Sequence, residues 1–164
     1  MDKVSAFKET MANYPTGVTI VTAVNAEGSP IGLTVNSFAS VSLDPMLILW
    51  SIDKKSASYD AFQKAQSFAV NILAEDQADT ALLFASRTNS KERFENCNWK
   101  LSSLNLPIIT GTAAALQCNV YNRIEAGDHT ILIGEVSDIY VEKKSPLLYH
   151  QRRMGALPAS FHEQ

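Results

Sequence analysis

Between Ile31 and Leu43 the chain places hydroxyl and amide side chains at every second position. In an extended strand successive side chains point to opposite faces, so Thr34, Asn36, Phe38, Ser40 and Ser42 share one face, opposite Leu33, Val35, Ala39, Val41 and Leu43. The first row has the chemistry to hold a polar, flat ligand: hydroxyls and an amide can bond carbonyl, hydroxyl or phosphate oxygens, and Phe38 adds an apolar surface. The same pattern also describes a half-buried antiparallel strand whose polar side faces water. Elsewhere, His129 stands in Gly127-Asp128-His129-Thr130, where a flexible turn could set an imidazole at the mouth of a barrel or simply close a hairpin.

The elements that must position these groups follow from periodicity. Val4, Phe7, Met11 and Tyr14 predict an amphipathic helix over about Ser5 to Asn13 that covers a core and stops before Pro15. Gly17–Val24 is rich in β-branched residues and Asn25–Ser29 supplies turn chemistry, so a hairpin leads into one strand from Ile31 to Leu43, ended by Asp44-Pro45. Further strands are expected over Met46–Ile52 and Phe68–Leu73, with helices near Ala57–Ala65 and Glu75–Ser86. The polar stretch from Arg87 to Leu106 reads as a long irregular excursion anchored by Phe94 and Trp99. Two last strands, Thr112–Ile124 and His129–Glu142, flank a turn, and a short helix is expected after Pro146. Hairpin-length connections dominate, which favours a mainly β fold with peripheral helices, an antiparallel barrel, in one domain over residues 1–164.

Composition narrows the chemistry. A net charge of -3 on 164 residues gives no pull toward nucleic acid. Cys97 and Cys118 lack zinc-site spacing and are expected as free thiols; three dispersed histidines do not predict a metal site. The first fifteen residues carry charges among the apolar ones and no run reaches membrane-spanning length, so a cytoplasmic location and no membrane partner are expected. Dinucleotide-fold, phosphate-loop, zinc-protease and hydrolase-elbow motifs are all missing.

Several segments taken together resemble the short-chain flavin reductase family, the reductase components of two-component flavin monooxygenases. They are Phe7, Pro15–Thr22, Gly32–Phe38, Ser40–Pro45, Ser56, Ser58, Phe68–Leu73, Phe84-Ala85, Ala126–Thr130, Gly134-Glu135-Val136 and Pro146–His150. The resemblance implies an antiparallel split β-barrel of the FMN-binding type. It implies that Thr34, Val35, Asn36 and Ser37, with Ser40, hold the ring and ribityl parts of FMN or FAD, and that Ser51, Ile52 and Asp53 line the flavin. Ser56 and Ser58, with Phe84, Ala85 and Ser86, would surround its phosphate. A helix start near Ser56 and Ser58, beside Lys54 and Lys55, independently favours an anion, although a serine cap alone would look the same.

By the same resemblance Gly127, Asp128 and His129, with Tyr149, meet the nicotinamide nucleotide, NADH or NADPH, and His129 orients its ring. Hydride transfer between stacked rings asks little acid or base chemistry of a protein, in keeping with the missing catalytic motifs. The chain departs from the family after His150, where it reads Gln151-Arg152-Arg153-Met154-Gly155. Homodimers and a partner monooxygenase are implied; a flavin-storing module without turnover is the alternative. Strict alternation puts Ser37 on the face opposite Thr34 and Asn36, so the strand must bulge or bend there, or offer backbone groups, if all three meet one ligand.

Overall fold

The computed structural model describes residues 1–162 and consists mainly of antiparallel strands. In chain order the elements are helix α1 (Lys3–Ala12) and strands β1 (Thr16–Gly17), β2 (Thr19–Val24), β3 (Pro30–Val35), β4 (Ala39–Leu43) and β5 (Met46–Asp53). Helix α2 (Tyr59–Lys64), strand β6 (Ser67–Ile72) and helices α3 (Ala78–Ala85) and α4 (Ser90–Glu95) follow. Strands β7 (Trp99–Leu101), β8 (Pro107–Ile109), β9 (Ala114–Ala126), β10 (His129–Val141), β11 (Leu148–His150) and β12 (Arg153–Gly155) complete the chain, ahead of a 3-10 turn at Ala159–Phe161.

Seven strands form the main sheet in the order β3-β2-β6-β9-β10-β5-β4. Its two edges, β3 and β4, are consecutive in the chain and joined only by Asn36, Ser37 and Phe38. Laid flat, six inter-strand steps of about 4.8 Å would hold those edges roughly 29 Å apart, whereas four residues reach at most about 14 Å. The sheet must therefore curl until its edges approach each other. Ser37 fastens the join: its Oγ accepts from the Ser51 amide at 3.0 Å and donates to the Ser51 carbonyl at 3.2 Å.

The core lies on both sides of this sheet. One cluster gathers Val21, Ile48, Trp50, Ile52, Phe62, Phe68 and Leu132, with Trp50 meeting Phe62 and Phe68 edge-on at 5.0 and 5.8 Å. Gly134 lets β10 pass this cluster: a Cβ there would stand 2.5 Å from Phe68 Cζ and 2.8 Å from Cys118 Cβ. A second cluster packs Val18, Ile20 and Leu73 under α3 and α4 through Ala81, Phe84 and Phe94. The expected free thiols are both present as such; burial pushes Cys97 up to about 11 and Cys118 up to about 12, so neither is a thiolate near neutral pH.

Four expectations need correction. The span from Ile31 to Leu43 is two strands, broken at residues 36–38, so its faces do not continue across the break; Phe38 packs against the Trp50 cluster, and Leu43 is 91% exposed. Helix α1 covers no core: it buries no residue, and Phe7 and Tyr14 after it are about two-thirds exposed at 65% and 67%. The stretch from Arg87 to Leu106 is not irregular throughout but carries α4 and β7; Asn89 caps α4 by accepting from the Glu92 amide at 2.9 Å. After Pro146 the chain forms β11, not a helix, because Leu148–His150 pairs with β1 on one side and β12 on the other.

Candidate functional site

A cavity of about 620 Å³ opens beside the three-residue join. Thr34, Val35 and Asn36 form one side, and Ala78, Leu82 and Ala85 of α3 form another, spaced so that they share a helix face. Val18, Tyr149, Arg152 and Met154 complete it. Its walls are mostly apolar, with a few polar groups converging on them, the usual make-up of a small-molecule site. Helix α3 is held in place from the opposite face. Phe84 lies so close to Gly32 that a Cβ there would meet its Cε1 at 3.0 Å, and Thr34 Oγ1 donates to the Ala81 carbonyl at 2.6 Å. Arg93 reaches from α4 to donate to the carbonyls of Gly32 at 2.7 Å and Ser86 at 2.6 Å. Desolvation pulls its guanidinium below the usual arginine range.

The structure therefore brings together Thr34, Val35, Asn36, Ala85 and Tyr149. Asn36 is exposed, lines this cavity and two smaller neighbours, and its side-chain amide makes no hydrogen bond among the described residues. The other expected residues stand differently. Phe84 is 1% exposed and edge-on to Phe94 at 5.1 Å, so its ring belongs to the core. Ile52 is likewise interior. Ser86 Oγ is engaged with the Leu83 carbonyl and Thr88, and Ser40 lies exposed on β4 opposite Ile48, outside this cavity. At Ser37, where a bulge or bend of one strand was expected, the chain instead breaks into β3 and β4, and that side chain is committed to Ser51.

A second group of expected residues adjoins the first through that bond. Along β5, Ser51 and Asp53 alternate with the buried Ile52, and Asp53 pairs with His129 at the start of β10. Gly127 takes the turn before it at a φ of 64°, and the Lys54 amide donates to the Asp128 carbonyl at 2.9 Å. His129 Nδ1 lies 2.7 Å from Asp128 Oδ1, and that hydrogen bond holds the Asp128 carboxyl below its ordinary range. Ser56 Oγ accepts from the Ser58 amide at 3.3 Å; Ser58 is largely buried and makes no side-chain cap on α2, which is only six residues long. Tyr149 stands with Asn36, while Gly127, Asp128 and His129 are not part of that cavity's lining.

Comparison with known proteins identifies the lineage. The family model described as "Flavin reductase like domain" matches residues 11–158. The chain belongs to the flavin reductase-like family. One relative, from Agrobacterium fabrum, is named "FMN reductase (NADH) SmoA" and is 45% identical over 150 residues, covering 92% of this chain and 84% of that protein. Another, from Acinetobacter baylyi, is named "Flavin-dependent trigonelline monooxygenase, reductase component" and is 44% identical over 138 residues, 84% of this chain. The match spans 44% of that relative's length, less than half. A solved structure of Streptomyces globisporus NADH:FAD oxidoreductase SgcE6, in complex with NAD and FAD fragments, superposes with a TM-score of 0.89 at 31% identity, over 96% of this chain and 94% of that one.

Within this flavin reductase-like chain, sequence reasoning missed Val18, Ala78, Leu82 and Met154 as cavity residues. For α3 a signal existed: Ala78, Leu82 and Ala85 recur at helical spacing. Arg152 and Met154 reach the cavity through the pairing of Thr16 with Tyr149, which joins residues far apart in the chain. Among the described residues no cluster of three or more His, Cys, Asp or Glu could hold a metal, and no helix is long and apolar enough to cross a membrane.

Proposed function

We propose that this chain is an NAD(P)H-dependent flavin reductase: it binds FMN or FAD beside the join, accepts NADH or NADPH, and releases reduced flavin to a flavin-dependent monooxygenase. The reading treats residues 1–164 as one split-barrel domain in the cytoplasm, with the split at the meeting edges of β3 and β4. The observation that carries it is Asn36, a free amide at the mouth of an apolar cavity in a chain of this family. The donor set fits a flavin, whose ring needs apolar faces and a few hydrogen bonds at its edge. When bound, the flavin supplies the hydride acceptor.

The protein's own part is binding and orientation. Asn36 bonds the ring edge, Val35 and Leu82 keep water from its faces, and Thr34 holds the wall to α3. Ser40, Ser51, Ile52, Asp53, Ser56, Ser58, Phe84, Ala85 and Ser86 belong to the proposed surroundings of the flavin and its phosphate. His129 and Tyr149, with Gly127 and Asp128, are assigned to the nicotinamide. Steady oxidation of NADH or NADPH with excess FMN, FAD or riboflavin, over many turnovers per protein, is the expected result. A yellow protein that consumes neither would sink the turnover and leave a flavin-storing module; a colourless one without flavin affinity would sink the site.

The working unit in this proposal is a homodimer. Its support is the unpartnered apolar face of α1, with Val4, Phe7 and Met11 all at least 49% exposed, and the exposed Leu43 and Met46 at the turn between β4 and β5. Exposed apolar side chains gathered on one helix face suit a contact surface. Light scattering should give twice the chain mass of 18.0 kDa; a monomer at micromolar concentration would contradict the assignment.

A further inference from the structure

Among the described residues Arg152 is the single charged side chain lining the cavity beside the join. It also borders a polar hollow of about 730 Å³ that contains Glu9, so it stands on the partition between the two. Its position is strained. Gln151 and Arg152 make the two-residue turn between the paired His150 and Arg153, at φ values of 47° and 62°. Such a turn strongly favours Asn and Gly, and side chains as long as these hold it only where their surroundings require them.

For Gln151 the reason is visible. Its amide donates to the Ala12 carbonyl at 2.9 Å and its Nε2 donates to Asn13 Oδ1 at 3.1 Å, tying down the end of α1. Arg152 has less: its Nη2 lies 3.6 Å from Glu9 Oε2, with both side chains more than half exposed at 62% and 56%. An exposed pair at that length holds little, and it leaves most of the guanidinium's five donors free. Among the described residues the cavity beside it offers no carboxylate of its own.

We propose that Arg152 reads the anionic end of the nucleotide held in this cavity, its guanidinium taking a phosphate oxygen and releasing Glu9 to do so. The proposal rests on the flavin reductase reading above. The shared chemistry is a phosphate ester, carried by FMN or FAD and equally by the nicotinamide dinucleotide; Arg binds such oxygens in bidentate fashion. Glu9 is then a competitor, which shields the arginine when no anion is present.

Two substitutions of opposite sign test this. Arg152→Asn removes the charge with a residue that tolerates positive φ, and Glu9→Gln removes the competitor. Each is titrated with riboflavin and with FMN, and KM is measured for NADH and NADPH. The preference for FMN over riboflavin should fall about tenfold in Arg152→Asn and rise about twofold to threefold in Glu9→Gln. The same opposed pair of changes in KM for the nicotinamide nucleotide, with the flavin preference unmoved, supports the assignment and names the dinucleotide as the source. Arg152→Gln gives the same readout if the asparagine variant does not fold. Changes within twofold throughout, or changes of the same sign in both variants, overturn the proposal, because a mere tether for α1 would weaken in both. Wild-type protein that binds neither flavin overturns the flavin reading and this proposal together; wild-type binding with Arg152→Asn indistinguishable from it overturns only the role of the arginine.

Discussion

Replacing Asn71 with leucine should lower the unfolding free energy by about 3–5 kcal/mol and the melting temperature by roughly 10 °C. Asn71 is fully buried on β6, and its amide satisfies three neighbours at once. Nδ2 donates to the Ile20 carbonyl at 2.9 Å and to Thr22 Oγ1 at 3.1 Å, while Oδ1 accepts from the Ile109 amide at 3.0 Å. Thr22 in turn donates to the Pro107 carbonyl. The side chain thus links β2, β6 and β8. Leucine fills a similar volume but leaves the Ile109 N–H buried without a partner, and desolvating such a group costs about 1–3 kcal/mol alone. Urea unfolding should show a lower midpoint with an unchanged slope; a loss below about 1 kcal/mol would mean that β8 does not depend on this amide.

Asn36→Leu should weaken flavin binding by about tenfold to a hundredfold while leaving the melting temperature within a degree or so. The two asparagines differ in what their amides already do. Asn71 spends all its hydrogen-bonding capacity inside the protein, whereas Asn36 spends none, so its loss is felt only when a ligand is present. Under the proposed function KM for flavin should rise with little change in kcat, since an amide that binds the ring edge binds ground state and transition state alike. Fluorescence titration with FMN measures the affinity directly. An unchanged affinity would remove Asn36 from the site and with it the observation on which the flavin assignment stands.

Much of the fold was legible because it is local. β2 and β3 with their Asn25–Ser29 turn, and β9 and β10 with the turn at Gly127, are hairpins whose alternation and turn residues lie within a few positions of each other. An irregularity at Ser37 was legible only with the family resemblance, which asks Ser37 to meet the same ligand as Thr34 and Asn36 although alternation sets it on the other face; a bulge or bend was expected and the chain breaks into two strands. What stayed hidden depends on partners distant in sequence. Leu148-Tyr149-His150 pairs with Thr16-Gly17, and nothing near residue 148 announces residue 16. Asn89 stands in a polar stretch that reads as loop, although three residues before Glu92 it also fits a helix cap. The apolar spacing on α1 correctly predicted a helix but not what it faces, because periodicity marks a greasy face and says nothing of whether the same chain covers it. For the site, Thr34, Asn36 and Tyr149 were read from the chain, while Arg152 required the turn that carries it.

The cavity draws its walls from Val18 at one extreme and Met154 at the other, with α3 between them. No shorter stretch of the chain encloses it. During synthesis, a growing polypeptide that has released β2, β3 and α3 still lacks one wall, and the trough stays open until β11 has paired with β1 and β12 with β11. Enclosure of the cavity therefore waits until the chain has been made through Met154, and a ribosome-bound fragment that stops short of that residue presents an open trough in its place.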